Sequence, residues 1–267
     1  MKAILRAIAR NRVVRKRLPS DLGGGIVYCS PDALLSMWKP GWQSDQAVQL
    51  FDWAHRFVKS GFVVWDVGAN QGLFTFAAAA MSGPSGHVVA FEPDPFLAGL
   101  MYRSRRAQQA ETRVDILPVA LSGSSGISTF CLATKDRALN HLAAVAGNPR
   151  TGGDRERFAV ITVTLKWISE NLRMPDLIKI DVEGAELAVL EHAGVHLLHC
   201  VRPRWIIEVG AENVRAVGQI LRAARYRIFD ADRPENEVEW PGWNTLAVPE
   251  EKCDAPDAVR VGGTVSP

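Results

Sequence analysis

The sequence predicts an α/β protein with a doubly wound, mostly parallel sheet of seven strands behind an N-terminal helical extension. Three observations support this fold. From residue 61 onward, short runs of β-branched and aromatic residues alternate with helical patterns. A glycine-containing turn follows the first of these runs, and acidic residues follow several others. This alternation is typical of strands that are buried on both faces under crossover helices.

Composition narrows the class of protein. The chain has 267 residues, of which 47% are hydrophobic and 22% charged, as in one large globular domain. A net charge of +2 is too small to indicate a nucleic-acid ligand. No apolar run approaches the length of about 18 residues that a membrane span needs. The four cysteines are far apart and predict neither a zinc site nor a disulfide framework, so we expect a reducing, cytoplasmic location.

The first 60 residues form a basic lead-in. Seven Lys or Arg and no acid lie between Lys2 and Arg17, but the apolar core and cleavage site of a signal peptide are missing. The apolar residues here do not keep to one helix face, so we expect a solvated or packed arm in preference to membrane contact. Residues 23–25 are three glycines and predict a flexible joint, and residues 45–59 predict an amphipathic helix.

The first core strand, residues 63–67, leads into a turn that suits a cofactor. Gly68 and Gly72 allow close approach of a ligand to the backbone, and the free N–H groups of the following helix face the turn. A dinucleotide fingerprint needs glycine at its first, third and sixth positions, which here are Gly68, Asn70 and Leu73. NAD and FAD are therefore disfavoured.

A second strand, residues 87–91, ends at Glu92. A carboxylate at this strand tip can accept hydrogen bonds from both hydroxyls of a ribose. A ribose acceptor beside a turn without a pyrophosphate signature predicts a site for S-adenosylmethionine. Asp66 or Glu92 alone has an ordinary alternative as a helix cap or loop charge; the order strand, turn, helix, strand and acid favours the cofactor.

The remaining strands and boundaries follow from the same patterns. The segment 134–154 is irregular, which predicts a lid, a substrate loop or disorder. A polar loop before the last strand allows that strand to run antiparallel. The further strand candidates are residues 114–117, 159–165, 177–180, 205–209, 226–229 and 243–248. The predicted regions are the extension at 1–60, the cofactor-binding domain at 61–250 and a flexible tail at 251–267.

A second acidic cluster follows the strand at residues 177–180. Asp181 and Glu183 come directly after it. Because ligands bind beyond the carboxyl ends of strands in an open α/β sheet, both should face the same crevice as Gly68 and Glu92. Neighbouring carboxylates raise one another's pKa, which suits a general base near neutral pH. The alternative is that either residue caps the following helix.

Six motifs occur in an order shared with a known family. They are DVGANQG (66–72), FEPDP (91–95), PVALS (118–122), KIDVEGAE (179–186), IIE (206–208) and NTLAVP (244–249). With these motifs the sequence resembles the FkbM-type S-adenosylmethionine-dependent methyltransferases over residues 61–249. The first and fourth motifs are specific when they occur together, and the others are supportive.

The resemblance implies a class I, Rossmann-like methyltransferase sheet and methyl transfer to an oxygen of a sugar, glycan or secondary metabolite. It places the methionine end of the cofactor on the glycine turn, the ribose on Glu92, the adenine near Ala120 and the reacting centre near Asp181. The lead-in and the segment 134–154 match no motif and are expected to contact the acceptor. The implied cofactor residues are Asp66, Gly68, Asn70, Gly72, Glu92, Ala120 and Asp181, and the catalytic candidates are Asp181 and Glu183.

Other residues offer competing roles. His141, in the irregular segment, is a rival base. Three histidines have the spacing of a helical metal site, but Gly194 interrupts the helix and we expect no metal; they are His192, His196 and His199. Four of the eight tryptophans could stack on a sugar, with core and lid packing as the alternative; they are Trp38, Trp42, Trp240 and Trp243.

Two other functions remain as alternatives. The first is a binding module that holds S-adenosylmethionine or a glycan without chemistry, which the acidic pair beside an intact cofactor turn disfavours. The second is a nicotinamide-dependent oxidoreductase, which the missing glycines at positions 70 and 73 disfavour.

Overall fold

The computed structural model describes residues 2–108, 113–144 and 151–253, with side chains from Leu5 onward. Helices flank a central eight-stranded sheet, and a four-stranded sheet and a two-stranded hairpin lie beside it. The helices are α1 (Lys2–Ala9), α2 (Asp45–Phe57), α3 (Leu73–Ser82), α4 (Pro95–Arg106), α5 (Leu165–Asn171), α6 (Glu186–Glu191) and α7 (Val214–Ala223). The strands are β1 (Val14–Arg17), β2 (Ile26–Cys29), β3 (Val63–Val67), β4 (His87–Phe91), β5 (Arg113–Leu117), β6 (Ala120–Leu121), β7 (Gly126–Ala133), β8 (His141–Leu142), β9 (Asp154–Val163), β10 (Leu177–Ile180), β11 (Arg204–Glu208), β12 (Tyr226–Asp230), β13 (Arg233–Glu237) and β14 (Asn244–Pro249).

The central sheet has the order β13-β12-β14-β11-β10-β3-β4-β5. Strands β11, β10, β3, β4 and β5 run parallel, and β14 is antiparallel to both of its neighbours, as the sequence allowed for the last strand. Seven strands form the predicted doubly wound sheet. The eighth, β13, adds a hairpin at the edge beside β12. Its sequence RPENE lacks the apolar alternation that identifies a strand, so the sequence did not reveal it.

One predicted strand belongs to a different sheet. Residues 159–163 lie in β9, which pairs with β7 and β6 in the four-stranded sheet of order β6-β9-β7-β8. The prediction continued this strand to Leu165, but Leu165 begins α5 and the Thr164 side chain caps that helix by accepting from the Trp167 N–H. An apolar pattern identifies a strand but does not say which sheet receives it.

The central strands are buried on both faces. Val64 packs with Phe74 and Ala77 of α3 on one face, whereas the adjacent Trp65 packs among the core residues of the other face. Trp65 also meets Phe91 edge-on, with ring centroids 6.3 Å apart. Burial on both faces explains the continuous apolar runs from which the sheet was predicted.

The N-terminal extension contains more β-structure than predicted. Its strands β1 and β2 form an antiparallel hairpin, and the N–H of Tyr28 in β2 donates to the Ser104 hydroxyl of α4 at 2.8 Å. The three glycines shape the turn of this hairpin: Gly23 ends a short 3-10 helix with φ +82°. The predicted helix at residues 45–59 is α2, and the Ser44 side chain caps its start.

None of the helices in the described part of the chain combines the length and apolar character that crossing a membrane requires. At the C-terminal end of the described chain, residues 251–253 pack on the domain: Glu251 pairs with Arg202 at 2.6 Å, and Lys252 donates to the Arg202 carbonyl. The rest of the predicted tail, residues 254–267, lies outside the described residues.

Candidate active site

Two adjoining cavities lie at the carboxyl ends of β3, β4 and β10. The larger has an empty volume of about 660 Å³ and the smaller about 370 Å³. Gly68, Asn70 and Asp181 line both. Glu92, Ala120 and Glu183 also line the larger cavity, so the structure brings six of the eight sequence-predicted site residues together.

The glycine turn is fixed by its neighbours. The N–H groups of Gly68 and Ala69 donate to the carbonyl of Phe91 at the end of β4. Gly68 has φ +76°, and a Cβ at this position would lie 1.8 Å from the carbonyl oxygen of Asp181. Only glycine fits here, because the two strand ends pass too close for any side chain. The turn therefore keeps bare backbone at the junction of the two cavities.

Asn70 adopts a left-handed conformation, with φ +53°. Its N–H donates to Glu92 Oε2 at 2.7 Å. Its buried side-chain Oδ1 has no hydrogen-bond partner among the described residues. A buried amide oxygen without a donor is costly, so this atom is suited to accept a hydrogen bond from a bound ligand.

Asp66 and Gly72 do not line either cavity within the described part of the chain. Asp66 is fully buried and accepts from the Thr75 hydroxyl of α3 at 2.6 Å. Gly72 precedes α3 with φ +81°, and a Cβ there would lie 2.8 Å from Phe76 Cε2. Both residues support the turn from behind, whereas the resemblance implied cofactor contact.

Glu92 holds its carboxylate through two backbone donors. Oε2 accepts from Asn70, and Oε1 accepts from the Asp94 N–H at 2.8 Å. The side chain is 5% exposed and lines the larger cavity. Burial raises the pKa of Glu92 to about 8, and the nearby charge of Asp94 adds to this effect. An oriented carboxylate at this strand tip is the arrangement predicted for binding a ribose.

Asp181 is held by a buried lysine. Lys179 in β10 lies 3.3 Å from Asp181 Oδ2 and 3.3 Å from Asp66 Oδ1. Burial alone lowers the pKa of Lys179, but the charges of Asp66 and Asp181 outweigh burial and raise that pKa above its usual value. The ammonium group therefore stays charged and fixes the Asp181 side chain, which is 19% exposed, at the junction of the cavities.

Glu186 closes the turn after β10. Its Oε1 accepts from the N–H of Gly184 at 2.9 Å and from that of Val182 at 3.3 Å. The residue before α6 is Ala185, which has no side-chain cap. The N-cap position of α6 is Ala185 and not Asp181 or Glu183, and the Glu186 carboxylate holds the turn that leads into this helix.

Glu208, at the end of β11, belongs to the same acidic group. Burial raises its pKa to about 8, and the charge of Asp181 raises it further, whereas Lys179 opposes the shift. It does not line either cavity within the described residues. Glu208 belongs to the IIE motif, for which no role was predicted.

The four-stranded sheet covers one side of the larger cavity. Ala120 in β6, the predicted adenine neighbour, lines it together with Phe130 and Leu142. His141, the rival base, also lines the cavity. It lies in β8, and its Nδ1 lies 3.3 Å from the Leu139 carbonyl oxygen, so this part of the irregular segment forms a strand.

Arg137 joins this sheet to the rest of the site. Its guanidinium pairs with Asp32 at 3.0 Å and with Asp94, and it lies over the ring of Phe96. Asn140 donates to the same Asp94 oxygen at 3.0 Å. The three charged side chains are each at most 7% exposed. This buried network ties the extension, the loop after Glu92 and the segment 134–154 together.

The extension also contributes to the walls. Gln46 lines both cavities, and Leu34 and Leu50 line the smaller one. None of the four tryptophans proposed for stacking lines either cavity within the described residues. Trp42 instead packs edge-on against Phe51, with ring centroids 5.0 Å apart.

The sequence contained signals for part of what was missed. Lys179 interrupts an otherwise apolar strand, and a charge in a buried strand indicates a buried partner. Arg137 had no such signal, because it lies in a polar segment and its partners Asp32 and Asp94 are distant in the sequence. The three histidines that have the spacing of a helical metal site form no ligand group within the described residues.

Comparison with known proteins identifies the family. Residues 66–228 match the model of the methyltransferase FkbM domain. The methyltransferase sdnD of Sordaria araneosa is 31% identical over 205 residues, which cover 67% of this chain and 76% of that protein.

Solved structures show more distant likenesses of fold. A SAM-dependent methyltransferase from Aquifex aeolicus is 14% identical and covers 76% of this chain and 93% of its own, with a TM-score of 0.39. Aeropyrum pernix fibrillarin, in complex with natively bound S-adenosyl-L-methionine, is 13% identical over 88% of this chain and 80% of its own, with a TM-score of 0.38. On its match to the domain model and to sdnD, the chain belongs to the FkbM family of methyltransferases.

Proposed function

We propose that the protein transfers a methyl group from S-adenosylmethionine to a hydroxyl oxygen of a sugar, glycan or secondary metabolite. The observation that carries this proposal is the position of Asp181. Its carboxylate lies where the two cavities meet, beside the bare backbone of Gly68, and Lys179 holds it there. A fixed carboxylate at this point can receive the proton of an acceptor hydroxyl.

The residues of the larger cavity fit the cofactor. Gly68 presents bare backbone to the cavity, since a Cβ there would meet the Asp181 carbonyl oxygen, and the buried Asn70 Oδ1 has no hydrogen-bond partner among the described residues. Glu92 presents a carboxylate that is already oriented by two backbone donors, as a ribose requires. The apolar residues around Ala120 provide a surface for adenine. When bound, the cofactor supplies a methyl group that is activated on a sulfonium.

The chain's own part in the reaction is to align the acceptor and remove its proton. The acceptor hydroxyl would be oriented towards the methyl group that the bound cofactor would supply, and its proton would pass to a base of the chain. Alignment contributes several kcal/mol to lowering such a barrier, and a positioned base about a hundredfold in rate. We assign the role of the base to Asp181. Glu183 also lines the larger cavity, and we assign it a supporting role.

The proposal includes the class of acceptor and the location. Gln46 and Leu34 of the extension line the smaller cavity, which provides a separate wall for a small molecule or glycan end. The four cysteines lie far apart in the sequence, which supports a cytoplasmic location. The net charge of +2 supports an acceptor other than nucleic acid.

Calorimetric titration tests the cofactor. We expect the wild type to bind S-adenosylmethionine and its demethylated product and not NAD. Glu92→Ala should weaken both interactions at least tenfold, whereas Glu191→Gln, which changes an exposed carboxylate on α6, should not. Binding of NAD in place of the methyl donor would refute the assignment.

Turnover tests the chemistry. Formation of demethylated cofactor is measured against a panel of sugar and secondary-metabolite hydroxyls. Asp181→Asn should lower kcat about a hundredfold and leave cofactor affinity within about threefold. Asp52→Asn, on the exposed face of α2, is the control and should retain full activity. Full turnover in Asp181→Asn would remove it as the base, and binding without turnover on any acceptor would favour the non-catalytic module.

A further inference from the structure

A cluster of soft and hard metal ligands lies on the four-stranded sheet, beside the site already described. It consists of Cys131 in β7, His141 in β8 and Asp154 at the start of β9. One ligand atom from each residue lies within 4.8 Å of the other two. Among the described residues, this is the group of His, Cys, Asp and Glu side chains with the spacing to hold a metal ion.

Strand pairing places all three side chains on one face of the sheet. Cys131 and His141 are direct cross-strand partners, so their side chains share a face. Cys131 is also the partner of Arg157. Asp154 lies three residues before Arg157 and in a regular strand would point to the opposite face. The register shift in the β7–β9 pairing makes Asp154 the partner of Ala133, and this bulge turns the carboxylate back towards the other two ligands.

The cluster has the supporting contacts that metal ligands require. His141 Nδ1 lies 3.3 Å from the Leu139 carbonyl oxygen, which favours a proton on Nδ1 and a lone pair on Nε2. Asp154 Oδ2 accepts two hydrogen bonds from the Arg157 guanidinium, at 3.0 and 2.7 Å, and Oδ1 lies 3.7 Å from His141 Nε2. His141 Nε2 and Asp154 Oδ1 face each other and are therefore the atoms suited to bind an ion.

We propose that Cys131 Sγ, His141 Nε2 and Asp154 Oδ1 form a zinc site. Zinc accepts sulfur, imidazole nitrogen and carboxylate oxygen, and a set containing a thiolate disfavours magnesium and calcium. Bond lengths of about 2.0–2.3 Å keep tetrahedral ligands roughly 3.3–3.8 Å apart, which the His141–Asp154 separation of 3.7 Å matches. Three protein ligands leave the fourth position for water.

Binding the ion requires one proton to leave. In the metal-free arrangement Cys131 is a buried free thiol close to Asp154. Zinc takes the place of that proton: the thiolate sulfur donates its electron pair to the ion, and the proton is released to solvent. The ion would link β7, β8 and β9 of the sheet that covers the larger cavity. Its binding would require neither the cofactor nor the acceptor.

The first test is metal content. Protein purified without chelators is analysed for zinc, and the apoprotein is titrated with zinc against a chromogenic chelator. We expect about one zinc per chain in the wild type and a loss of more than tenfold in affinity in Cys131→Ala and in Asp154→Asn. Cys200→Ala, which removes an exposed cysteine, should match the wild type. Equal zinc binding by wild type and Cys131→Ala, or no stoichiometric binding by the wild type, would overturn the proposal.

A second test does not depend on a stable variant. Cobalt added to the wild-type apoprotein should give a thiolate-to-cobalt charge-transfer band together with the intense visible bands of tetrahedral coordination. The same spectrum should appear in Cys200→Ala. A spectrum without the thiolate band would exclude Cys131 as a ligand even if Cys131→Ala does not fold. Both readouts are independent of methyl transfer, so failure of the zinc site and failure of the proposed function are distinguishable.

Discussion

Replacing Arg137 with methionine should destabilise the protein strongly, because its guanidinium is the central charge of a buried network. It pairs with Asp32 and Asp94 and donates to Asn11 Oδ1 at 3.1 Å. Methionine keeps much of the volume and the contact with Phe96, so the substitution removes charge and hydrogen bonds with little change in packing.

The magnitude follows from what the substitution leaves behind. Asp32 keeps a bidentate contact with Arg155, at 2.9 and 2.7 Å. Asp94 is 1% exposed, and among the described residues Asn140 is the one side-chain donor that remains to the Asp94 Oδ2 atom contacted by Arg137. Removing one partner of a buried pair typically costs about 3–5 kcal/mol. For a domain of this size, that corresponds to a fall in Tm of roughly 6–20 °C.

Urea denaturation at neutral pH measures this cost directly. Arg233→Met, which removes a 69% exposed arginine from a surface pair with Asp230, should cost less than about 1 kcal/mol. Combining Arg137→Met with Asp94→Asn should recover part of the loss, since no buried charge is then left without its cation. A loss below about 1 kcal/mol in Arg137→Met, or no recovery in the double variant, would refute the view that burial makes this pair costly to break.

Two further predictions concern the cofactor cavity. Burial raises the pKa of Glu92 to about 8 in the folded chain, whereas the unfolded chain loses this proton from about pH 4.5. The bound proton therefore stabilises the folded state at low pH, and this stabilisation is lost as pH rises through about 8. Ribose hydroxyls donate to the ionised form, so affinity for S-adenosylmethionine should increase towards pH 8 in the wild type and in Glu208→Gln, and titrations across pH should show no such increase in Glu92→Gln. Gly68→Ala should abolish cofactor binding, because the added Cβ would meet the carbonyl oxygen of Asp181. The control is Gly61→Ala, where φ is +81° and the nearest contact of a Cβ is at 3.4 Å; it should lose about 1–2 kcal/mol of stability and still bind the cofactor. Equal binding by both variants would contradict the steric argument.

The central sheet was predictable because its strands are buried on both faces. Such strands are largely apolar runs, and three of them, β3, β4 and β10, are followed by a glycine or an acid that lines the larger cavity, namely Gly68, Glu92 and Asp181. Local sequence therefore determined both the strand and the position of its functional residue. Strands β13 and β1 were not predictable in this way, because both are short, partly exposed and rich in charges.

The parts of the site that sequence reasoning missed depend on tertiary contacts. Arg137 gives no sign of burial in its own segment, and only the folded chain brings Asp32 and Asp94 to it. The same holds for Gly72, which was expected to let a ligand approach the backbone but packs against the ring of Phe76 behind the turn. The motif thus identified the residues of the turn, and packing decided which of them line the cavities.

The distribution of these contacts bears on how acceptor choice is encoded. The family match covers residues 66–228, and two residues that precede it contribute to the candidate site. Asp32 pairs with Arg137 in the buried network, and Gln46 lines both cavities. Within the match, Arg137 comes from a segment without a recognised motif. Because Arg137 also pairs with Asp94, a change at Asp32 reaches the loop after Glu92 through two buried ion pairs, whereas a change at Gln46 alters the cavity wall directly.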